Sequence, residues 1–250
     1  MNEKRARNRE HDDGAGSIEP PAASSTPAWA GVTPMQQARS EATFHALIRA
    51  GRDALESKGL ESMTIARLAE AAGASVGAFY GRFENRRAYF SAIQETVVAE
   101  VETNVRRAID ALDRNNVNAA EFLSAIAPIW VTIFRDNRGL YLAAFKDSTS
   151  QPGAWTPFKR LGWNMAALIV ERLLPRLAEL GKTDTEREIR IAMQFVNGLL
   201  VNATINDPGP IRLDDPEMEG NIARFLCSFF GLELPQKNGL KRSRKGIKGK

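Results

Sequence analysis

The sequence has few of the residues on which most catalytic and metal sites depend. It contains one cysteine, Cys227, and two histidines, His11 and His45. A single cysteine cannot form an internal disulfide, and no Cys/His cluster has the spacing of metal ligands. We therefore expect a buried core thiol at Cys227, no metal and no cofactor. Because neither histidine has a nucleophile, a dyad partner or a metal set around it, we also expect no enzymatic activity.

Long hydrophobic runs are missing as well. No apolar segment approaches the roughly 18 residues that a membrane-spanning helix needs, and the opening MNEKRARNRE has no hydrophobic core of a secretory signal. We therefore expect a cytoplasmic protein without a membrane partner. The formal net charge is only +4. The distribution of charged residues along the chain is therefore more informative about binding partners than the net charge.

The two terminal segments have no hydrophobic period. Residues 1–32 are rich in Pro, Ala, Ser and charges of both signs, which predicts a disordered tail. Residues 235–250 contain seven basic residues and no acid, which predicts a second, basic disordered tail. The basic tail either adds salt-sensitive, non-specific affinity for nucleic acid or simply keeps the chain solvated, and both alternatives stay open.

The residues between the tails show helical periodicity and no strand pattern. We predict an all-α protein of roughly nine helices, with a three-helix head at 33–90 joined by a long helix to a helical domain at 91–234. The predicted helix starts are Thr33-Pro34, Thr64, Ser75, Asn85, Asn118, Leu140, Thr156-Pro157, Asp184 and Asp215-Pro216. The predicted helix ends include Gly59, Gly73, Asp113 and Pro175.

The stretch from Thr64 to Tyr80, TIARLAEAAGASVGAFY, predicts two short helices joined by a tight glycine turn. Thr64 is a good N-cap residue, and Met63 can close on Leu68 as a hydrophobic staple. Gly73 supplies the left-handed residue that ends the first helix, and Ser75 can cap the second. A helix, a glycine turn and a second helix is the helix-turn-helix pattern.

Residues 48–90 resemble the DNA-binding head of TetR-family transcriptional regulators. The resembling residues fall in register without an insertion or deletion, and they are Thr64-Ile65, Leu68-Ala69, Ala72-Gly73-Ala74-Ser75, Gly77, Phe79-Tyr80, Phe83 and Asn85-Arg86. The rest of the chain matches only the family's general plan, in which a varied helical domain binds a small ligand and pairs with a second subunit. The resemblance implies a homodimer that binds a palindromic operator, with two recognition helices about 34 to 36 Å apart.

The resemblance also implies a set of DNA contacts. The first turn of the second short helix enters the major groove, where short side chains permit close approach. Thr64 and Tyr80 hydrogen-bond backbone phosphates, and Arg86 adds a charge-assisted phosphate contact at the start of the long helix. The implied DNA-binding set is Thr64, Ser75, Val76, Gly77, Ala78, Phe79, Tyr80, Arg82, Arg86 and Arg39.

Two residues depart from the family pattern. Val76 and Ala78 stand where relatives often have polar side chains. Base reading is therefore expected to depend on apolar contact with thymine methyl groups, on Arg82, on Arg39 of the first helix and on DNA shape.

Two further sets of residues are candidates in the second domain. Aromatic-rich helices after the long helix suggest an apolar ligand pocket, although ordinary core has the same composition. The pocket candidates are Trp130, Phe134, Tyr141, Phe145, Trp155, Phe158, Trp163 and Met165, with Lys159 and Asn164 as polar anchors. Two apolar helices near the end of the chain suggest a dimer interface, with Phe195, Gly198, Leu199, Ala203, Phe225 and Phe229 as candidates.

The sequence therefore predicts a ligand-responsive repressor. A small, largely apolar effector that binds near the C-terminal end of the long helix would shift that helix and release DNA. A regulator or activator that binds DNA constitutively, without a small molecule, remains the alternative.

Overall fold

The computed structural model describes residues 38–59, 64–149, 151, 153–183 and 185–235. These residues form nine α-helices and no strand, which confirms the all-α prediction. The helices are α1 (Ala38–Lys58), α2 (Ile65–Ala71), α3 (Val76–Tyr80), α4 (Arg86–Arg114), α5 (Ala119–Asp136), α6 (Arg138–Ser148), α7 (Thr156–Glu179), α8 (Glu186–Ile205) and α9 (Glu217–Phe229). The N-terminal tail at 1–32, all but the first residue of the predicted 235–250 tail, the Thr33-Pro34 helix start, Met63 and Asp184 lie outside the described residues.

The head is formed by α1, α2, α3 and the start of α4. Its core is aromatic: the ring of Phe79 lies 5.2 Å from that of Phe83 and 5.0 Å from that of Tyr89, and Phe44 of α1 lies 5.7 Å from Phe83. The Tyr89 hydroxyl donates a 2.6 Å hydrogen bond to the Leu47 carbonyl. Tyr89 therefore joins α4 to α1 through both packing and a buried hydrogen bond.

Local signals set the ends of the short helices. Gly73 has φ of 62° and ends α2, with the Ala74 N–H reaching back to the Ala69 carbonyl at 2.8 Å. The Ser75 hydroxyl accepts a 3.0 Å hydrogen bond from the Ala78 N–H and caps α3. Thr64 occupies the N-cap position of α2 with extended backbone, but its side chain makes no cap bond, so only the position of that predicted cap is right.

Helix α4 connects the head to the second domain. It begins after Asn85, whose side chain accepts from the Ala88 N–H at 2.9 Å, and it continues without a break for 29 residues. The predicted domain boundary between residues 90 and 91 falls inside this helix. Its C-terminal end is bound to α7 by ion pairs, Arg176 with Asp113 at 2.7 Å and Arg172 with Asp110 at 3.3 Å.

The predicted helix end at Pro175 is wrong, because α7 continues through it to Glu179. Proline in a helix interior removes one backbone hydrogen bond. Tertiary contacts hold the helix here: Leu173 and Leu177 are fully buried on either side, and Arg176 donates to the Val117 carbonyl at 3.1 Å. Helix α5 likewise runs through Pro128, after the predicted capping box of Asn118 and Glu121.

The second domain consists of α5 to α9 packed on most of α4, and its core is continuous with that of the head. Helix α5 lies against α9, and α7 and α8 pack on each other and on α5. Cys227 of α9 is buried as predicted, close to the Ser124 hydroxyl. In the described ranges, no helix combines the length and the apolar character required to cross a bilayer.

Candidate nucleic-acid interface and internal cavity

The first turn of α3 forms an exposed surface with little polar chemistry. Val76 is 44% exposed, Gly77 is exposed and Ala78 is half-buried. The Ser75 hydroxyl is already engaged as the cap of the helix. This turn therefore presents a small, largely apolar surface that can approach a groove closely.

Phe79 was predicted among the DNA contacts, and the structure corrects this. Its side chain has 0% exposure and packs against Phe83 and Tyr89. The spacing of a five-residue helix does not reveal which side faces inward. The side chain of Phe79 therefore fixes the position of α3 on the head and is not available for a contact with DNA.

The predicted phosphate contacts lie around this surface. Tyr80 is 54% exposed, and its ring lies edge-on to that of Phe79 at 5.6 Å. Thr64 and Arg86 are also exposed, at the starts of α2 and α4, while Arg82 is half-buried. The backbone of Arg39 belongs to α1, but its side chain lies outside the described part of the chain.

One further arginine was missed by the sequence analysis. Arg87 follows Arg86 in the first turn of α4 and is exposed. The signal that identifies it is the Arg-Arg doublet directly after the Asn85 cap. Two guanidinium groups at the positive end of the α4 dipole make this corner of the head attractive to phosphate.

A cavity of about 810 Å³ lies in the second domain, between α5, α6, α7 and α8. Seven of the eight predicted pocket residues line it: Trp130, Phe134, Tyr141, Trp155, Phe158, Trp163 and Met165. Several of these rings stack on one another, with Tyr141 4.5 Å from Phe134 and 4.6 Å from Phe158. The lining is therefore a continuous aromatic wall.

Two predicted pocket residues do not line the cavity. Phe145 lies behind Trp155, with ring centroids 6.3 Å apart, and is exposed at the surface. Asn164 turns to the other side of α7 and donates to Glu102 of α4 at 2.9 Å. Lys159 does line the cavity, as predicted for a polar anchor.

Another part of the lining is a polar strip on α8, which was not among the residues predicted from the sequence. It consists of Arg187, Arg190, Gln194 and Asn197, at intervals of three or four residues on one face of the helix. The Arg190 guanidinium stacks on Trp163, with its central carbon 4.4 Å from the ring centroid. The regular spacing of these polar residues in an otherwise apolar helix was the available signal.

The cavity is connected to the first half of α4. The Gln94 side chain donates to the Ala154 carbonyl at 2.8 Å, next to Trp155 in the cavity wall. Glu95 pairs with Arg160, the neighbour of Lys159. The expectation that the pocket lies near the C-terminal end of the long helix is therefore wrong, because these contacts lie about two turns from Arg86.

An exposed apolar face extends over α8 and α9. Phe195 is 60% exposed, and its ring lies 6.0 Å from that of Phe225, which in turn lies 5.9 Å from Phe229. Leu199 and Gly198 are also exposed on α8. Ala203 does not belong to this face, because it is buried in the core of the same subunit.

The comparisons with known proteins agree with this architecture. Residues 47–93 match the family model described as bacterial regulatory proteins of the tetR family. A putative TetR-family transcriptional regulator from Mesorhizobium loti has the same fold, with a TM-score of 0.61 at 17% identity over 78% of this chain and 98% of its own. A putative TetR-family transcriptional regulator from Rhodococcus sp. gives a TM-score of 0.57 at 12% identity, covering 75% and 98% of the two chains.

A third similar structure is the fatty acid degradation regulator FadR from Bacillus halodurans. Its TM-score is 0.54 at 16% identity, over 83% of this chain and 99% of its own. The comparison with curated proteins gave no match. At these identities the structural matches establish the fold, while the family model identifies the head.

The matched segment is the helix-turn-helix head of bacterial regulatory proteins of the tetR family, and the described chain shares its fold with the similar structures. The match at residues 47–93 confirms the resemblance to TetR-family heads seen in residues 48–90.

Proposed function

We propose that the protein is a cytoplasmic repressor that binds a palindromic operator as a homodimer and is released by a small, largely apolar molecule. The observation that carries this proposal is the cavity of about 810 Å³ whose wall is hydrogen-bonded to α4 through Gln94 and Ala154. A cavity of this size and lining is typical of small-molecule sites. The helix that it contacts begins at Arg86, a proposed phosphate contact.

The head supports DNA binding by shape and position more than by base chemistry. Thr64, Tyr80 and Arg86 are exposed and Arg82 is half-buried, all in the head that carries α3, where Val76 and Ala78 offer only apolar contact. Phosphate contacts set the register of the head but carry no sequence information. Specificity then depends on thymine methyl groups, on Arg39 and Arg82, and on the spacing of two heads.

The exposed face of Phe195, Leu199, Phe225 and Phe229 supports the homodimer. Large apolar patches of this kind on a folded chain mark interaction surfaces. Two copies of α8 and α9 can form a four-helix interface around a two-fold axis. The dimer places two heads on one face of DNA, as a palindromic operator requires.

The proposed release follows from the link between cavity and helix. An effector can shift the protein between two states only by binding one of them more tightly. A ligand that displaces Trp155 moves Ala154 and Arg160, and with them the residues of α4 that they contact. A small tilt of α4 changes the separation of the two heads and weakens operator binding.

The experiment has two stages. Operator DNA is obtained by selecting binding sequences from a random pool with the purified protein, and a metabolite library is screened by thermal shift for compounds that stabilise the folded state. Each hit is then tested for release of operator in fluorescence anisotropy. Hits that release DNA support the proposal. Operator binding that no hit alters indicates instead a regulator without an effector.

A further inference from the structure

The charged residues that line the cavity have one sign. Lys159, Arg187 and Arg190 border it, and no aspartate or glutamate is among the described residues of the lining. Lys159 and Arg187 are exposed to water, but Arg190 is half-buried beside the apolar cavity, and a ligand of opposite charge relieves the cost of its partial desolvation. An acid-free, cationic wall therefore favours an anionic ligand over a neutral or cationic one.

Arg190 is held in place for such a ligand. Its Nε donates to Glu186 at 2.7 Å, and its plane stacks on Trp163. Its Nη1 is buried and has no hydrogen-bond partner among the described residues. A buried donor without an acceptor is unfavourable, and the guanidinium edge matches the geometry of a carboxylate.

The rest of the cavity requires an apolar body. Another part of the lining, apart from the α8 strip, consists of stacked aromatic rings, from Phe134 and Tyr141 to Phe158. Nη1 is the Arg190 atom that is both buried and without a hydrogen-bond partner, and it suits a single anionic group. Gln194 and Asn197, farther along the same strip, can bind a hydroxyl or keto group on the ligand.

We propose that the effector is an amphiphilic monocarboxylate, with its carboxylate on Arg190 and its apolar body against the aromatic wall. This inference rests on the proposed function and names the chemical class of ligand for the same cavity. Lys159 and Arg187 strengthen the attraction without fixing the geometry of the contact.

The test compares acids with their uncharged counterparts. Phenylbutyrate, decanoate and the primary amide of each are titrated into the full-length protein near neutral pH, and binding is followed by thermal shift and calorimetry. We expect at least one acid to bind, and its amide to bind at least about tenfold more weakly, a difference of about 1.4 kcal/mol. Arg190→Gln removes most of the preference for the acid over the amide, leaves the part supplied by Lys159 and Arg187, and does not change the affinity for the amide.

Two further variants keep the test decisive. Lys159→Gln changes an exposed cavity cation, so it tests the charge even if Arg190→Gln fails to fold; we expect severalfold weaker acid binding. Arg212→Gln is the matched control, because Arg212 pairs with Asp207 away from the cavity lining, and it leaves acid binding unchanged.

Equal binding of acid and amide overturns the inference, as does undiminished acid binding by a folded Arg190→Gln protein; if that variant does not fold, undiminished acid binding by Lys159→Gln overturns it. Failure of both acids to bind overturns it too. None of these results contradicts the proposed function, which fails separately if no library compound releases operator DNA.

Discussion

The carboxylate of Glu56 accepts a 2.8 Å hydrogen bond from the backbone N–H of Gly139, and its second oxygen accepts from Leu140 at 3.3 Å. Glu56 belongs to α1 in the head, whereas these N–H groups begin α6 in the second domain. The acid therefore caps a helix of the other domain. The next residue of α6, Tyr141, lines the cavity, so this contact is a second route between cavity and head.

We predict that Glu56→Ala weakens this connection. The loss of a helix cap costs about 1 kcal/mol, which lowers the melting temperature of a chain of this size by roughly 2–4 °C. The variant should still bind operator, but an effector should release it less completely. Asp53→Ala removes an exposed carboxylate one turn earlier in α1 and serves as the control. An unchanged effector response in Glu56→Ala excludes this route.

The phosphate contacts of the head can be tested individually. Arg86→Ala should weaken operator binding by about 1.5–3 kcal/mol, the cost of a lost charge-assisted hydrogen bond, and reduce the slope of log affinity against log salt by about one. Tyr80→Phe removes a neutral donor and should cost about 1 kcal/mol without changing the salt slope. Arg107→Ala, on an exposed part of α4 beyond the head, is the control for a lost charge. If Arg86→Ala and Tyr80→Phe both bind as tightly as the parent, the assignment is wrong.

The contact between Gly51 and Tyr89 predicts a stability defect in the head. A Cβ atom at position 51 would lie 2.2 Å from the Tyr89 hydroxyl and 2.5 Å from Ile93. Gly51→Ala should therefore cost about 1–3 kcal/mol through overpacking, and Tyr89→Phe about 1 kcal/mol through the lost bond to Leu47. The measurement is urea unfolding. Because Tyr89→Phe removes the atom nearest to the new methyl group, the double variant should lose less than the sum of the two; strict additivity contradicts the contact.

The exposed face of α8 and α9 predicts the oligomeric state. We expect the parent protein to sediment as a dimer and Phe195→Glu to sediment as a monomer, because a charge placed in an apolar interface is buried twice under two-fold symmetry. Leu142→Glu changes an exposed leucine on α6 outside this face and should remain dimeric. A parent that sediments as a monomer, or a dimeric Phe195→Glu, rules out this face.

Features with a local cause could be predicted from the sequence. The Ser75 and Asn85 caps and the Asn118 capping box depend on residues three positions apart, so spacing alone identifies them. The path of α7 through Pro175 depends on buried leucines and on Arg176 contacts to α4, which no local pattern contains.

The candidate sites were also predictable only where residue type and local spacing determine them. Aromatic composition identified most of the cavity lining. It did not show that Phe145, which packs against Trp155, is outside the lining. Phe79 could be read from the sequence either as core of the head or as a DNA contact, and only the fold shows that its side chain and that of Ala203 are buried in their own core. The bond from Glu56 to Gly139 joins residues 83 positions apart and is visible only in the folded chain.

The most direct test of the account is the operator affinity measured with and without a cavity ligand. Fluorescence anisotropy with labelled operator should show at least about tenfold weaker binding at saturating ligand, a coupling free energy within the usual 1–3 kcal/mol. Gly162→Leu places a side chain in the cavity, where the new Cβ lies 3.7 Å from Asn197; this variant should bind operator and no longer respond. An operator affinity that stays the same at every ligand concentration in the parent protein contradicts the account.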